Sequence, residues 1–226
     1  MAQVQEALIL KERHGTVLSL TLNSPKNLNA LSDAMLAALK AAFEEVATDP
    51  TVRVVILRGT GKAFCAGHDL REMQAARQAA DGGRAYFADL FARCSAVMQM
   101  IPALPQPVIA EVHGIATAAG CQLVASCDMA VAATGTRFGV NGVNIGLFCS
   151  TPMVALSRNI GRKQAFEMLT TGSFIEAERA VDLGLINRAV AADQLGAEVL
   201  DLAQTVAGKL TAAVKIGKRA FYDQLG

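Results

Sequence analysis

The apolar positions of this chain fall into two rhythms. Thr16 to Leu22 alternates as a half-buried strand does, and the polar turn after it, with Pro25 and Asn27, fits a chain reversal. Met35, Leu36, Leu39, Phe43 and Val46 then recur at helical spacing behind Ser32, a good N-cap, which predicts a helix from Ser32 to Ala47. Val52 to Leu57 is a β-branched run suited to a strand buried on both sides. Arg84 to Ile101 is amphipathic, with Phe87, Leu90, Phe91, Cys94, Val97, Met98 and Ile101 on one face, and Pro102, Pro105 and Pro107 stop it. Short strands follow at Val108–Val112 and Met129–Ala133. From Thr151 the pattern is helical, with segments closed by Gly161, Gly172 and Gly184. A strand at Leu185–Val190 and helices over about 193–210 and 211–225 complete the chain. The segment Gln74–Gly83 is alanine-rich and polar and reads as a mobile surface element. Together these elements predict a layered α/β core with a helical appendage.

Two stretches break the rhythm with small residues. Between strand-like Val108–Val112 and helix-like Gln122–Val124 stand Gly114, Ala116, Ala118, Ala119 and Gly120, so a ligand can approach backbone N–H groups at a helix start, where negative charge is favoured. The second, Arg58 to Met73, breaks a buried strand with Gly59, Gly61 and Gly67 and enters a helix at Asp69, with Glu72 in its first turn.

Composition narrows the classes. At 226 residues and 52% hydrophobic, the chain can bury a sizeable core. A net charge of +1 with scattered basic residues argues against nucleic-acid or membrane-surface binding through bulk charge. No apolar run reaches membrane-span length and the charged start is unlike a signal peptide, so a cytoplasmic location is expected. The five cysteines form no CxxC pair and the three histidines are well separated, which argues against structural zinc.

The segments NSPKNLNALS, GKAFCAGHDLREM, VIAEVHGIATAAGCQLVASCDMAVA, TRFGVNGVNIGLF, GRKQAFEMLTTG and AERAVDLGLINRAV, in that order, resemble the enoyl-CoA hydratase/isomerase (crotonase) superfamily over nearly the whole chain. The resemblance implies a spiral of ββα units over residues 1–190 and a C-terminal helical region over 191–226, shorter than is usual there. It also implies an acyl-CoA thioester as substrate, no cofactor beyond the CoA the substrate carries, no metal, and assembly as a homotrimer or a dimer of trimers. The backbone N–H groups of Ala66 and Ala119 are expected to form the oxyanion hole that stabilises a thioester enolate. Lys26, Asn27, Leu28 and Ala30 are expected along the CoA, with Lys62, Ala63, Phe64, Gly67 and Leu70 on the first loop, Gly120 on the second, and Asn141 and Asn144 near the acyl group.

The chain departs from the hydratases of that family at both of their glutamates, which are here Gln122 and Gly142. Neither can take up or release a proton. His68 and Asp69 are the candidate substitutes. Enolate chemistry of the hydratase/isomerase type is therefore expected, with two alternatives open: an acyl-CoA binder that has lost its proton-transfer groups, and a CoA-thioester hydrolase or decarboxylase.

Overall fold

The computed structural model describes residues 7–225. Strands β1 (Ile9–His14) and β2 (Val17–Leu22) form an antiparallel hairpin; β3 (Val54–Gly59) and β4 (Val108–Val112) add to it in parallel. Strand β5 (Ile115–Thr117) leaves that sheet for a second one. β6 (Met129–Ala133) returns to the first, β7 (Arg137–Gly139) and β8 (Phe174–Glu176) flank and complete the second, and β9 (Arg188–Val190) closes the first. The first sheet is thus six-stranded, in the order β1-β2-β3-β4-β6-β9, and the second three-stranded, β5-β7-β8. The helices are α1 (Asp33–Thr48), α2 (Leu70–Ala76), α3 (Arg84–Ala103), α4 (Ala119–Ser126), α5 (Pro152–Asn159), α6 (Arg162–Thr171), α7 (Ala177–Leu183), α8 (Leu195–Ala207) and α9 (Thr211–Leu225).

Both faces of the large sheet are covered, which is what its β-branched parallel strands require. Leu18, Leu20, Leu22, Val55 and Leu57 face a core shared with α1, α3 and α4, including Leu36, Phe43, Leu90 and Val97. The alternate residues Val17, Val54, Ile56, Ile109 and Val131 pack against Leu195, Val199 and Ala203 of α8. Ser32 caps α1, its hydroxyl accepting from the Met35 N–H at 3.1 Å.

Two expectations are corrected, and one strand, β1, has no counterpart in the sequence reading. The hairpin strand β1 carries Lys11, Glu12 and Arg13 and reads as a polar run; it is an edge strand whose central residues face solvent, so charge does not oppose it. β5, β7 and β8 have three residues each, too few for a period, and β8 falls in the stretch after Thr151 that was expected to be helical. The segment expected to be mobile is laced: α2 runs to Ala76, and the Asp81 carboxylate accepts from the N–H groups of Gly83 and Ala85, both at 2.9 Å, ordering the entry to α3.

The last helix is fixed by a buried polar knot. Lys218 on α9 donates to the carbonyls of Ile101 and Gln106 at 2.8 and 2.9 Å and to the Asp128 carboxylate at 2.7 Å. Asp128 also accepts from the Val108 N–H at 2.6 Å and the Tyr222 hydroxyl at 2.8 Å.

Candidate functional site

Where β3 ends, the chain runs as a short extra strand beside β5. Phe64 N–H donates to His113 O at 3.1 Å, Cys65 N–H to Ile115 O at 3.2 Å, and Thr117 N–H to Cys65 O at 3.1 Å. This lacing needs bare backbone opposite it. A Cβ on Gly114, which has φ +65°, would lie 2.1 Å from the Lys62 carbonyl oxygen, and one on Gly120 would lie 2.2 Å from that of Cys65. The small residues of the sequence are therefore contact requirements between the two loops.

Beyond the lacing the two loops meet at Gly67 and Ala118. Ala118 holds φ 50°, ψ −121°, a strained conformation for a residue with a side chain, and its N–H donates to Gly139 O at 2.8 Å. That turn makes Ala119 the first residue of α4, where the N–H has no partner within the helix. Gly67 has φ +89°, and a Cβ there would stand 3.0 Å from the Ala118 Cβ and 3.3 Å from the Ala119 nitrogen.

The Ala66 N–H, expected to be an oxyanion donor, is spent on the Leu28 carbonyl at 3.0 Å. That expectation is corrected: the residue lines the cavity, but its amide is tied to the turn before α1. The neighbouring His68 N–H and the Ala119 N–H have no acceptor among the described residues. Sequence reasoning missed the residue that braces this arrangement. Asn29, fully buried at φ 53°, donates through its side chain to Thr60 O and Ala63 O, both at 2.8 Å, and accepts from Ser24 N–H at 2.8 Å. Its signal was its residue type, since asparagine tolerates the left-handed region.

The loops open on a cavity of about 270 Å³. Ala66, His68, Leu70, Ala119, Asn141 and Gly142 of the expected site line it, together with Met73, Phe91, Thr117, Ala118, Ile145 and residues 147–152. No carboxylate, lysine or arginine is among the lining residues. Leu70, Ile145 and Phe148 form an exposed apolar rim.

Several expected site residues lie elsewhere. Gln122 is buried on α4 with its Oε1 unpartnered, and does not line the cavity. The Asp69 carboxylate accepts from Arg71 N–H at 2.8 Å, capping α2, and Glu72 accepts from Asp33 N–H at 2.8 Å, at the start of α1. Burial pushes the Glu72 pKa up, against the pull of that N–H. Asn144 donates to Gly172 O at 3.3 Å and so serves the end of α6. Lys26, Asn27 and Leu28 are exposed on the turn before α1, where Arg71 donates to the Asn27 side chain; Lys62 is exposed too, whereas Ala30, Ala63 and Phe64 are buried. Gly67 and Gly120 act through the space they leave, as described above.

Within the cavity the polar groups are few. Thr117 donates to Asn141 Oδ1 at 2.5 Å. Cys149 Sγ accepts from the Gly142 N–H at 3.3 Å, and burial raises its thiol pKa. The His68 ring stands edge-on to Phe91, centroids 5.9 Å apart, with both nitrogens buried and unpartnered. Burial, chiefly, lowers its pKa, and Arg93 adds to the effect while Leu31 and Asp33 oppose it, so the imidazole is neutral near pH 7.

The six-stranded sheet sheathed on both faces, and the small-residue loops meeting above an apolar cavity, are those of a crotonase-fold acyl-CoA enzyme. The chain belongs to the enoyl-CoA hydratase/isomerase family, whose profile matches residues 12–226. It is 45% identical over 209 residues to the mouse enoyl-CoA hydratase domain-containing protein 3, covering 92% of this chain and 68% of that one. The crystal structure of an enoyl-CoA hydratase from Mycobacterium smegmatis superposes with a TM-score of 0.93 at 56% identity, covering 97% of this chain and 84% of that one. The human domain-containing protein 3 gives 0.91 at 42%, covering 96% and 84%. The cytoplasmic location expected from the sequence is overturned by the names of the vertebrate relatives, from mouse, rat, Xenopus laevis, human and Danio rerio, each of which is called mitochondrial.

Proposed function

We propose that this protein binds an acyl-CoA thioester with the carbonyl oxygen between the N–H groups of His68 and Ala119 and stabilises the enolate that forms there. The supporting observation is that these two amides, on separate loops abutting at Gly67, lack protein partners among the described residues and stand beside one cavity. Two preplaced donors stabilise charge as it appears on the oxygen, and loss of one such donor commonly costs about 3 kcal/mol of activation energy. The CoA runs outward past the turn of Lys26 to Ala30, where Arg71 adds a cation that sequence reasoning did not single out. The reaction uses no metal or redox cofactor, the chain assembles as a trimer or paired trimers, and the mitochondrial setting of the vertebrate relatives replaces the cytoplasm.

Water addition through two carboxylates is not the chemistry we assign, because Gln122 and Gly142 cannot transfer protons. The second reading, a binder without turnover, is favoured by the lack of any carboxylate on the cavity wall. Titration with butyryl-CoA beside a crotonyl-CoA hydration assay tests the assignment. The expected outcome is thioester binding with hydration far below that of a two-glutamate hydratase, by about 10²-fold or more. Failure to bind any acyl-CoA would refute the site, and hydration at ordinary enzyme rates, about 10 s⁻¹ or above, would refute the assignment of chemistry.

A further inference from the structure

A backbone donor is only as well aimed as the peptide unit that carries it. The His68 N–H shares its planar unit with the Gly67 carbonyl, and in a trans peptide the two point in opposite directions. The Leu31 N–H donates to that carbonyl at 2.7 Å, so residue 31 sets the direction in which the His68 N–H faces. The Leu31–His68 bridge lays the two segments parallel there.

The segment that does the aiming, residues 28–31, is tied to the first loop at two further places. The Ala66 N–H donates to Leu28 O at 3.0 Å, and the Asn29 side chain donates to the carbonyls of Thr60 and Ala63, both at 2.8 Å. Asn29 is the only side chain among these ties, and it uses both ends of its amide: Nδ2 gives its two hydrogens to the loop, while Oδ1 accepts from the Ser24 N–H at 2.8 Å and closes the turn. An aspartate of the same shape would set an acceptor against two carbonyl oxygens. The space is cut to the amide, since a Cβ on Gly59 would stand 2.8 Å from Asn29 Nδ2 and 2.7 Å from Phe64 O.

We infer that Asn29 is the positioning residue for the His68 carbonyl donor. The inference rests on the proposed acyl-CoA site and adds to it the group that aims one of its two amides. Asn29 pins residues 28–31 to the stem of the loop, and Leu31 in turn holds the Gly67–His68 peptide with its N–H facing away from that segment. A donor fixed in this way before charge develops on the oxygen needs no reorganisation when it does.

Butyryl-CoA labelled with carbon-13 at the carbonyl, and the thioether S-butyl-CoA, which lacks the carbonyl, separate aim from binding. On the parent protein the labelled carbonyl stretch should move to lower frequency on binding, and the thioester should bind more tightly than the thioether. Asn29→Gly keeps the left-handed backbone and removes the side-chain bonds. At saturation it should lose about half of the frequency shift, since one of two donors is misplaced, and the thioester-to-thioether affinity ratio should fall about 2- to 10-fold, the worth of one hydrogen bond. Ser32→Ala, which weakens the α1 cap and leaves the ties alone, should change neither readout. A folded Asn29→Gly protein with the parent's shift and ratio overturns the inference and leaves the site standing, and so does an equal loss in Ser32→Ala. A parent that shows neither shift nor preference for the thioester takes the site, and the inference with it. Should Asn29→Gly not fold, amide exchange on the parent decides. The N–H groups of Ser24, Ala66 and Leu31 should then exchange through one shared opening with equal protection, and a Ser24 amide that exchanges far faster than the other two overturns the inference.

Discussion

Placing a methyl group at Gly67 probes the meeting of the two loops directly. Gly67→Ala puts its Cβ 3.0 Å from the Ala118 Cβ, 3.0 Å from the Thr117 carbonyl oxygen and 3.3 Å from the Ala119 nitrogen. Two of those neighbours are backbone held by the lacing to Cys65 and Gly139, so they cannot swing aside as a side chain end would. The substitution also forces an alanine to φ +89°, a penalty of about 1–2 kcal/mol. Overpacking adds about 1–3 kcal/mol, and the smaller unfolded-state entropy of alanine returns about 0.4–1 kcal/mol. A net loss of about 2–4 kcal/mol in urea unfolding is expected. The functional loss should be larger than stability alone explains. Parting the loops displaces the Ala119 N–H from its counterpart, and removal of one such donor lowers kcat by about 10²- to 10³-fold. Turnover and thioester affinity are to be measured well below the unfolding midpoint, on protein whose far-UV spectrum matches the parent. A folded Gly67→Ala protein with unchanged turnover and thioester affinity would refute the claim that these loops form the site.

Ala118→Gly relieves the strained backbone and should raise stability by about 1 kcal/mol after the entropy of glycine is charged against it, or about 2–4 °C in Tm, while loosening the site and lowering kcat. Lys218→Met removes the cation from a buried knot whose side chains are 6% and 12% exposed, and should cost about 3–5 kcal/mol, seen as early proteolysis within α9. Burial raises the Glu111 pKa above its ordinary 4.5, opposed by Arg58 and His113. The group thus contributes stability below pH 4.5 that is lost as pH rises through the folded-state value, so Glu111→Gln should match the parent in acid and exceed it at neutral pH in parallel urea titrations. The double variant Gln122→Glu, Gly142→Glu should fail to gain crotonyl-CoA hydration, because a side chain at 142 starts 2.3 Å from the Leu147 carbonyl oxygen.

Elements whose own side chains carry their burial pattern were legible from the sequence. α1 announces itself through Ser32 and five apolar positions, and β3 through the β-branched Val54, Val55 and Ile56 followed by Leu57, since in both the residues that pack are the residues that repeat. The second sheet was hidden because each of its strands has three residues and is held by pairing to distant segments, as Thr117 is to Cys65 and Gly139. The site divided in the same way. Small residues marked both loops, but which amide stays unpaired depends on a long-range contact, Ala66 to Leu28, made possible by left-handed backbone at Leu28 and Asn29. No local pattern near Ala66 carries that information.

The missing second glutamate is a property of a whole turn. Gly142 N–H donates to Cys149 Sγ, Leu147 N–H donates back to Gly142 O at 2.9 Å, and the space where a Cβ would project is taken by the Leu147 carbonyl and the Cys149 sulfur, 2.3 and 2.9 Å away. The segment from 141 to 149 is therefore folded around a glycine, and a carboxylate there would require it to refold. At the first position, by contrast, Gln122 keeps the size of a glutamate, is buried, and leaves its Oε1 unpaired. One position has lost only the charge and the other has lost the room for a side chain. A site altered in both ways carries no carboxylate at either position, and under the proposed function the thioester oxygen is left to the amides of His68 and Ala119.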